Sequence, residues 1–172
     1  EPVREDSWMS DTISSIMDTM SVEEKIGQLL LFGWKGETDE ENTTVSAHAR
    51  VLLEEFHVGG VVLLGRNVSS PERTARTMNE LQERSRIPLF IIADQEGGMV
   101  ARFRDPSVAF PSAMAIAATG DPTLAYRAAR ATAEQLRAVG VNFNFAPCVD
   151  VNNNPLNPII GTRSYGDTPE QV

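Results

Sequence analysis

The sequence predicts an α/β protein with parallel strands, either a doubly wound open sheet or the first half of a TIM-type (β/α)8 barrel, truncated. Three observations predict it. Short aliphatic runs of strand length alternate with segments of helical period, and explicit capping residues open those segments. Each strand is followed by a helix long enough for a crossover, as parallel pairing requires. About four strands are readable, whereas a closed barrel needs eight and typically ~250 residues. A doubly wound open sheet fits the same order of units.

The first helix starts at Ser21-Val22-Glu23-Glu24, a capping box in which the Ser side chain and the Glu at N3 satisfy two orphan N–H groups. Ile26, Leu29 and Leu30 follow at the spacing of one apolar face, and Leu31-Phe32 run to Gly33 as a short strand. After a polar stretch from Lys35 to Thr44, the residues Val45, Ala49, Leu52, Leu53 and Phe56 recur at helical spacing, and Gly59-Gly60 closes that helix. Val61-Val62-Leu63-Leu64 is a continuous apolar run, as expected of a strand covered on both faces.

Ser70-Pro71 reads as N-cap and N1 of a helix that turns Ala75, Met78 and Leu81 inward and ends before Pro88. Leu89-Phe90-Ile91-Ile92-Ala93 is the next strand. A long connection from 97 to 120 leads to Asp121-Pro122, which repeats the N-cap and proline signature. Ala125, Ala128, Ala129, Thr132, Leu136 and Val139 then form a small-residue face that ends at Gly140. In Val141-Asn142-Phe143-Asn144-Phe145 a period of two puts Val141, Phe143 and Phe145 on one face and the asparagines on the other. Thr168-Pro169-Glu170-Gln171 is a further capping box, so a helix is expected to begin there, and the rest of one barrel domain is expected beyond Val172.

Composition excludes several functions. With 15 Lys+Arg against 24 Asp+Glu the net charge is −9, which disfavours nucleic acid and anionic membranes as partners. No apolar run approaches the ~20 residues of a membrane span. One cysteine, Cys148, permits no internal disulfide, and with two histidines it cannot complete a zinc site; it reads as a small buried hydrophobe. His48 and His57 read as packing or surface residues.

In this fold class ligands bind beyond the carboxyl ends of the strands, which directs attention to Gly65-Arg66-Asn67, to Asp94 through Gly98, and to Pro147 through Asp150. Asp94 stands out, because a carboxylate that ends a buried strand needs a partner, and Arg102 or Arg163 supplies a guanidinium. The competing reading is an ion pair that pins the 97 to 120 connection. Glu96 and Arg66 read as structural salt-bridge formers. Gly97-Gly98 lacks the phosphate-loop patterns and reads as a sharp turn where backbone passes close to a ligand. Asn152 through Pro158 is turn chemistry without metal-binding logic.

Four motifs occur in order: Lys25-Ile26-Gly27-Gln28-Leu29, the Asp94-Gln95-Glu96-Gly97-Gly98-Met99-Val100-Ala101-Arg102-Phe103 segment, Asn144-Phe145-Ala146-Pro147-Cys148-Val149-Asp150-Val151, and Ile160-Gly161-Thr162-Arg163-Ser164-Tyr165-Gly166. Together, over about Ser21 to Val172, they resemble the N-terminal half of a family 3 glycoside hydrolase. The D-Q-E-G-G-x-V-x-R form resembles the β-N-acetylhexosaminidase branch, where β-glucosidases usually carry D-x-x-H-G.

The resemblance implies a barrel and an exo-acting β-N-acetylglucosaminidase that releases terminal β-linked N-acetylhexosamine by a retaining mechanism, with no metal or cofactor required. It implies that Asp94 and Arg163 bind hydroxyls of the terminal sugar, with Arg102 in the same pocket. The family's Lys-His-Phe-Pro-Gly-His-Gly stretch, acid/base His and nucleophilic Asp are expected downstream, so no catalytic residue is expected within 1–172. The partners implied are an amino-sugar glycoside and the remaining C-terminal part of the protein. The long segment before Ile26 resembles exported members that act on cell-wall fragments. Cys148 stands where an aliphatic residue is usual and Met99 where Arg is frequent, departures that bear on the leaving-group side. A β-glucosidase and a non-catalytic α/β sugar-binding domain are the alternatives.

Overall fold

A computed structural model describes residues 7–104 and 109–172. Four strands form one parallel sheet: β1 (Leu31–Phe32), β2 (Gly60–Leu63), β3 (Phe90–Ala93) and β4 (Phe143–Asn144). Their spatial order, β1-β2-β3-β4, repeats the chain order. A doubly wound sheet must reverse direction at a switch point. This one does not, so it follows the winding of a barrel.

The helices are α1 (Ser7–Asp18), α2 (Val22–Gln28), α3 (Asp39–Thr43), α4 (Ala47–Glu54), α5 (Pro71–Arg84), α6 (Ala113–Ala117) and α7 (Pro122–Ala138). The predicted caps of α2, α5 and α7 are present: Ser21, Ser70 and Asp121 each accept from a first-turn N–H. α1, α3 and α6 were not expected. α3 carries its own capping box, Thr38 with Glu41, inside the polar stretch, and α6 is capped by Ser112 within the long connection. No described helix is long and apolar enough to cross a membrane.

One core lies on the helix side of the sheet. Val61 and Leu63 of β2, Leu89, Ile91 and Ala93 at β3, Leu52 and Leu53 of α4, Met78 and Leu81 of α5 and Leu136 of α7 belong to it, together with Trp34. Several predicted faces shift. In α2 the buried residue is Gly27, while Ile26 and Leu29 are exposed, because α2 meets the turn after α4 backbone to backbone: a Cβ on Gly27 would lie 2.1 Å from Phe56 O. Gln28 Nε2 donates to His57 O there, at 2.9 Å. α4 ends at Glu54, Phe56 is exposed, and the reversal after it uses His57 at φ 50, not the Gly pair; Gly60 is already in β2. In α5, Thr74 and Thr77 are buried with Met78 and Leu81, and Ala75 is half-buried; in α7, Ala129 is exposed.

Val141 does not share a face with Phe143. It precedes β4 and joins the core, whereas Phe143 pairs with Ile92 and packs on Phe90 and Phe145 at ring distances of 5.5 and 5.1 Å on the other side of the sheet. The two asparagines extend this short strand. Asn142 Oδ1 accepts from Ile91 N and Asn144 Oδ1 from Gln95 N, at 2.8 and 3.0 Å, while their amides donate to Leu89 O and Gln95 O. Residues 168–171 form a turn closed by Gln171 N on Thr168 O, and not the expected helix.

Candidate functional site

β3 ends at Ala93, and the next three side chains organise the carboxyl end of the sheet. Asp94 Oδ2 accepts from Arg102 Nη2 at 2.5 Å, both side chains about three-quarters buried. Gln95 is buried: its Oε1 accepts from Arg102 N and Phe103 N at 2.7 and 3.1 Å, and its Nε2 donates to Phe103 O at 3.0 Å. Glu96 accepts from Arg163 through both oxygens, Nε to Oε2 at 2.9 Å and Nη2 to Oε1 at 2.8 Å. Of the two guanidiniums open to Asp94 in the sequence, the structure gives it Arg102, and Arg163 goes to Glu96.

The Gly97-Gly98 turn makes these contacts possible. Both glycines have positive φ, 94 and 58, and Glu96 N donates to Val100 O across the reversal. Both glycines approach other parts of the protein closely. A Cβ on Gly97 would lie 2.6 Å from Pro111 O, and one on Gly98 2.7 Å from Ser112 Cβ. Arg163 arrives on a 3-10 turn, Gly161–Arg163, which is anchored by the fully buried Ser164, whose hydroxyl donates to Asp150 O at 2.6 Å.

The ion pair with Glu96 raises the Arg163 pKa, so its charge is fixed. Burial raises the pKa of the Cys148 thiol, which sits 3.2 Å from Asp150 and stays protonated at neutral pH. Arg66 and Asn67 do not join the site: both donate to Trp34 O, and Asn67 also holds Asn42 O and Leu64 N. His57 precedes β2, at the opposite end of the sheet, and His48 is exposed beside Lys35 O. Among the described residues no three His, Cys, Asp or Glu side chains are placed to hold a metal ion.

A carboxylate with one oxygen on a guanidinium keeps lone pairs for hydroxyl donors. A guanidinium held by two of its five N–H groups keeps donors for hydroxyl oxygens. Arg102 Nε is buried without a hydrogen-bond partner among the described residues. The arrangement suits a small neutral polyol. A cavity of about 1210 Å3 between α6, α7 and the segment 147–172 is lined by Tyr126, Asn152 and Tyr165 but by none of these charged residues.

Residues 21–172 match the model of the glycosyl hydrolase family 3 N terminal domain. A β-hexosaminidase A of Pseudoalteromonas piscicida is 39% identical over 140 residues, 76% of this chain and 23% of that protein. A β-N-acetylglucosaminidase/β-glucosidase of Cellulomonas fimi is 33% identical over 160 residues, 93% of this chain and 26% of that protein. The solved structure of a family 3 β-N-acetylglucosaminidase from Paenibacillus sp. str. FPU-7 superposes with a TM-score of 0.83 at 43% identity, covering 89% of this chain and 29% of that one. The chain thus spans about a quarter of the length of these relatives.

Proposed function

The chain belongs to glycosyl hydrolase family 3, and from that premise we propose that residues 1–172 are the N-terminal part of one barrel domain in an exo-acting β-N-acetylglucosaminidase. The enzyme removes terminal β-linked N-acetylhexosamine with retention. Asp94, Arg102 and Arg163 hold the terminal sugar, and the C-terminal remainder of the protein supplies the nucleophile and the acid/base. The observation that carries this reading is the Asp94–Arg102 pair at the carboxyl end of β3, with the Glu96–Arg163 pair two residues on. Placed there, a paired carboxylate accepts sugar O–H bonds that strengthen as the water is excluded. A second reading, β-glucosidase activity at the same site, is favoured by the double name of the Cellulomonas fimi relative.

Asp94→Asn in the full-length enzyme tests the binding role. The change keeps the shape, removes the charge and puts a donor where an acceptor stood. Loss of a charged hydrogen bond of this kind is about 1.5–3 kcal/mol, roughly 10- to 150-fold. That loss is expected in kcat/KM, with KM rising as well, because the contact lies away from the breaking bond. A variant with near-native kcat/KM and a lowered Tm would instead make Asp94 a pin for the 97 to 120 connection.

A further inference from the structure

Glu96 has no part in the sugar contacts proposed above, yet its side chain is the most deeply buried of the four charged groups, at 10% exposure against 23–25% for Asp94, Arg102 and Arg163. Such a carboxylate is stable only with its oxygens satisfied. Arg163 satisfies both through the Nε and Nη2 edge, the planar fork that fixes the orientation of a guanidinium as well as its position.

Among the described residues only Glu96 holds the Arg163 guanidinium through a paired, planar hydrogen-bond geometry. The Arg163 turn is three residues long, Arg163 lies 67 residues from Glu96 in sequence, and among the described residues its one other side-chain hydrogen bond is Nη1 to Ile159 O at 3.4 Å, with Asp150 and Cys148 acting on it only electrostatically. The backbone beneath is well held, by Ser164 on Asp150 O and by Arg163 N on Ile160 O at 2.9 Å. The anchored part is therefore the main chain, and the long side chain takes its direction from Glu96. Glu96 in turn is fixed because Gln95 and the Gly97-Gly98 turn set the backbone on either side of it.

We propose that Glu96 is a positioning residue, which presets the Arg163 guanidinium so that its unshared N–H groups face a hydroxyl of the terminal sugar. This rests on the reading of Arg163 as a sugar ligand. The three residues past β3 then divide the work: Asp94 meets the sugar, Gln95 holds the loop that brings Arg102, and Glu96 aims Arg163. Preorganisation of this kind matters because misplacing a binding group by about 1 Å costs on the order of 100-fold in rate.

The test is a double-mutant cycle in the full-length enzyme, read as kcat/KM on an aryl N-acetyl-β-glucosaminide together with Tm. Glu96→Gln keeps the volume but only one good acceptor for the fork, and is expected to lower kcat/KM roughly 10- to 100-fold. Arg163→Ala is expected to lower it at least as much, and the double variant no further than Arg163→Ala alone, since a positioning residue has nothing left to position. Additive losses would overturn the proposal, as they would mean that Glu96 acts on the substrate independently. So would native kcat/KM in Glu96→Gln beside an impaired Arg163→Ala. If Arg163→Ala itself retains native kcat/KM, the sugar-ligand reading fails, and the positioning role with it. Should Glu96→Gln fail to fold, Glu96→Asp reads the same cycle: one methylene shorter, it reaches the fork through one oxygen, and an impaired kcat/KM at native Tm supports positioning where a native value opposes it.

Discussion

Asp94, Gln95 and Glu96 occupy consecutive positions past β3, and their side chains meet three different sets of partners. Gln95 is the one without charge and the one best buried, at 5% exposure. Gln95→Leu fills much of the same space but strands Arg102 N, Phe103 N and Phe103 O in a partly buried loop. The expected loss is about 1–3 kcal/mol of stability, read as a lowered urea midpoint at unchanged slope. An unchanged midpoint would mean that the loop is held by something other than this amide. Asp94 was conspicuous in the sequence as a carboxylate just past a buried strand, and Arg102 and Arg163 as the guanidiniums that could pair with it. The pairing was not, since two guanidiniums satisfied the same pattern and only the fold assigns them. Gln95 escaped notice for a physical reason: its three partners are backbone groups, which leave no mark in a sequence. Cys148 was legible as a buried hydrophobe, and with its pKa raised by burial it is expected to react with iodoacetamide at pH 8 more slowly than a free cysteine peptide.

At the scale of elements, the strong caps were readable and the backbone-to-backbone contacts were not. Ser21, Ser70 and Asp121 announced α2, α5 and α7, whereas α3 and α6, each five residues long, are too short to show a period. The period also misplaced the inner face of α2, because a glycine packs by its lack of a side chain. Gly27→Ala puts a methyl 2.1 Å from Phe56 O and 2.6 Å from His57 O, both backbone atoms. A Tm several degrees lower is expected, against the small gain that alanine gives at an open helical position. The caps also set a pH dependence. Asp121 is held below its ordinary pKa by hydrogen bonds from the Thr123 hydroxyl and the Thr123 N–H, and Glu72 and Glu23 lie low as well, each through a backbone hydrogen bond first and the Ser70 or Ser21 side chain second. A depressed carboxylate pKa stabilises the fold above the unfolded value near 4 and loses that stabilisation as pH falls through the folded one. Thermal melts are therefore expected to fall between pH 5 and pH 2, and Asp121→Asn to flatten part of the fall. An equal slope in that variant would exclude the Asp121 cap as a contributor.

For the whole molecule, the sheet has a covered side and an uncovered one. Phe90, Phe143 and Phe145 stand 54, 41 and 42% exposed on the side away from the core, and β1 and β4 each pair with one neighbour. Barrel interiors are closed by further strands, and open edges invite pairing with another chain. The isolated 172-residue chain is accordingly expected to self-associate in sedimentation velocity at tens of micromolar, and a well-folded monomer there would contradict the half-barrel account. Parallel pairing and the four motifs were open to reading in the sequence; the order β1-β2-β3-β4 was not, because a doubly wound sheet has the same succession of units, and neither was the bare sheet face, because the alternation rule fails where Val141 precedes its strand. The central claim is that this chain carries the sugar-holding half of an N-acetylglucosaminidase site. It is tested most directly by kcat/KM of the full-length enzyme on aryl N-acetyl-β-glucosaminide and on aryl β-glucoside, measured side by side. The account predicts a preference of at least 100-fold for the N-acetylated substrate, roughly 3 kcal/mol in transition-state binding; equal rates, or a preference for the glucoside, would contradict it.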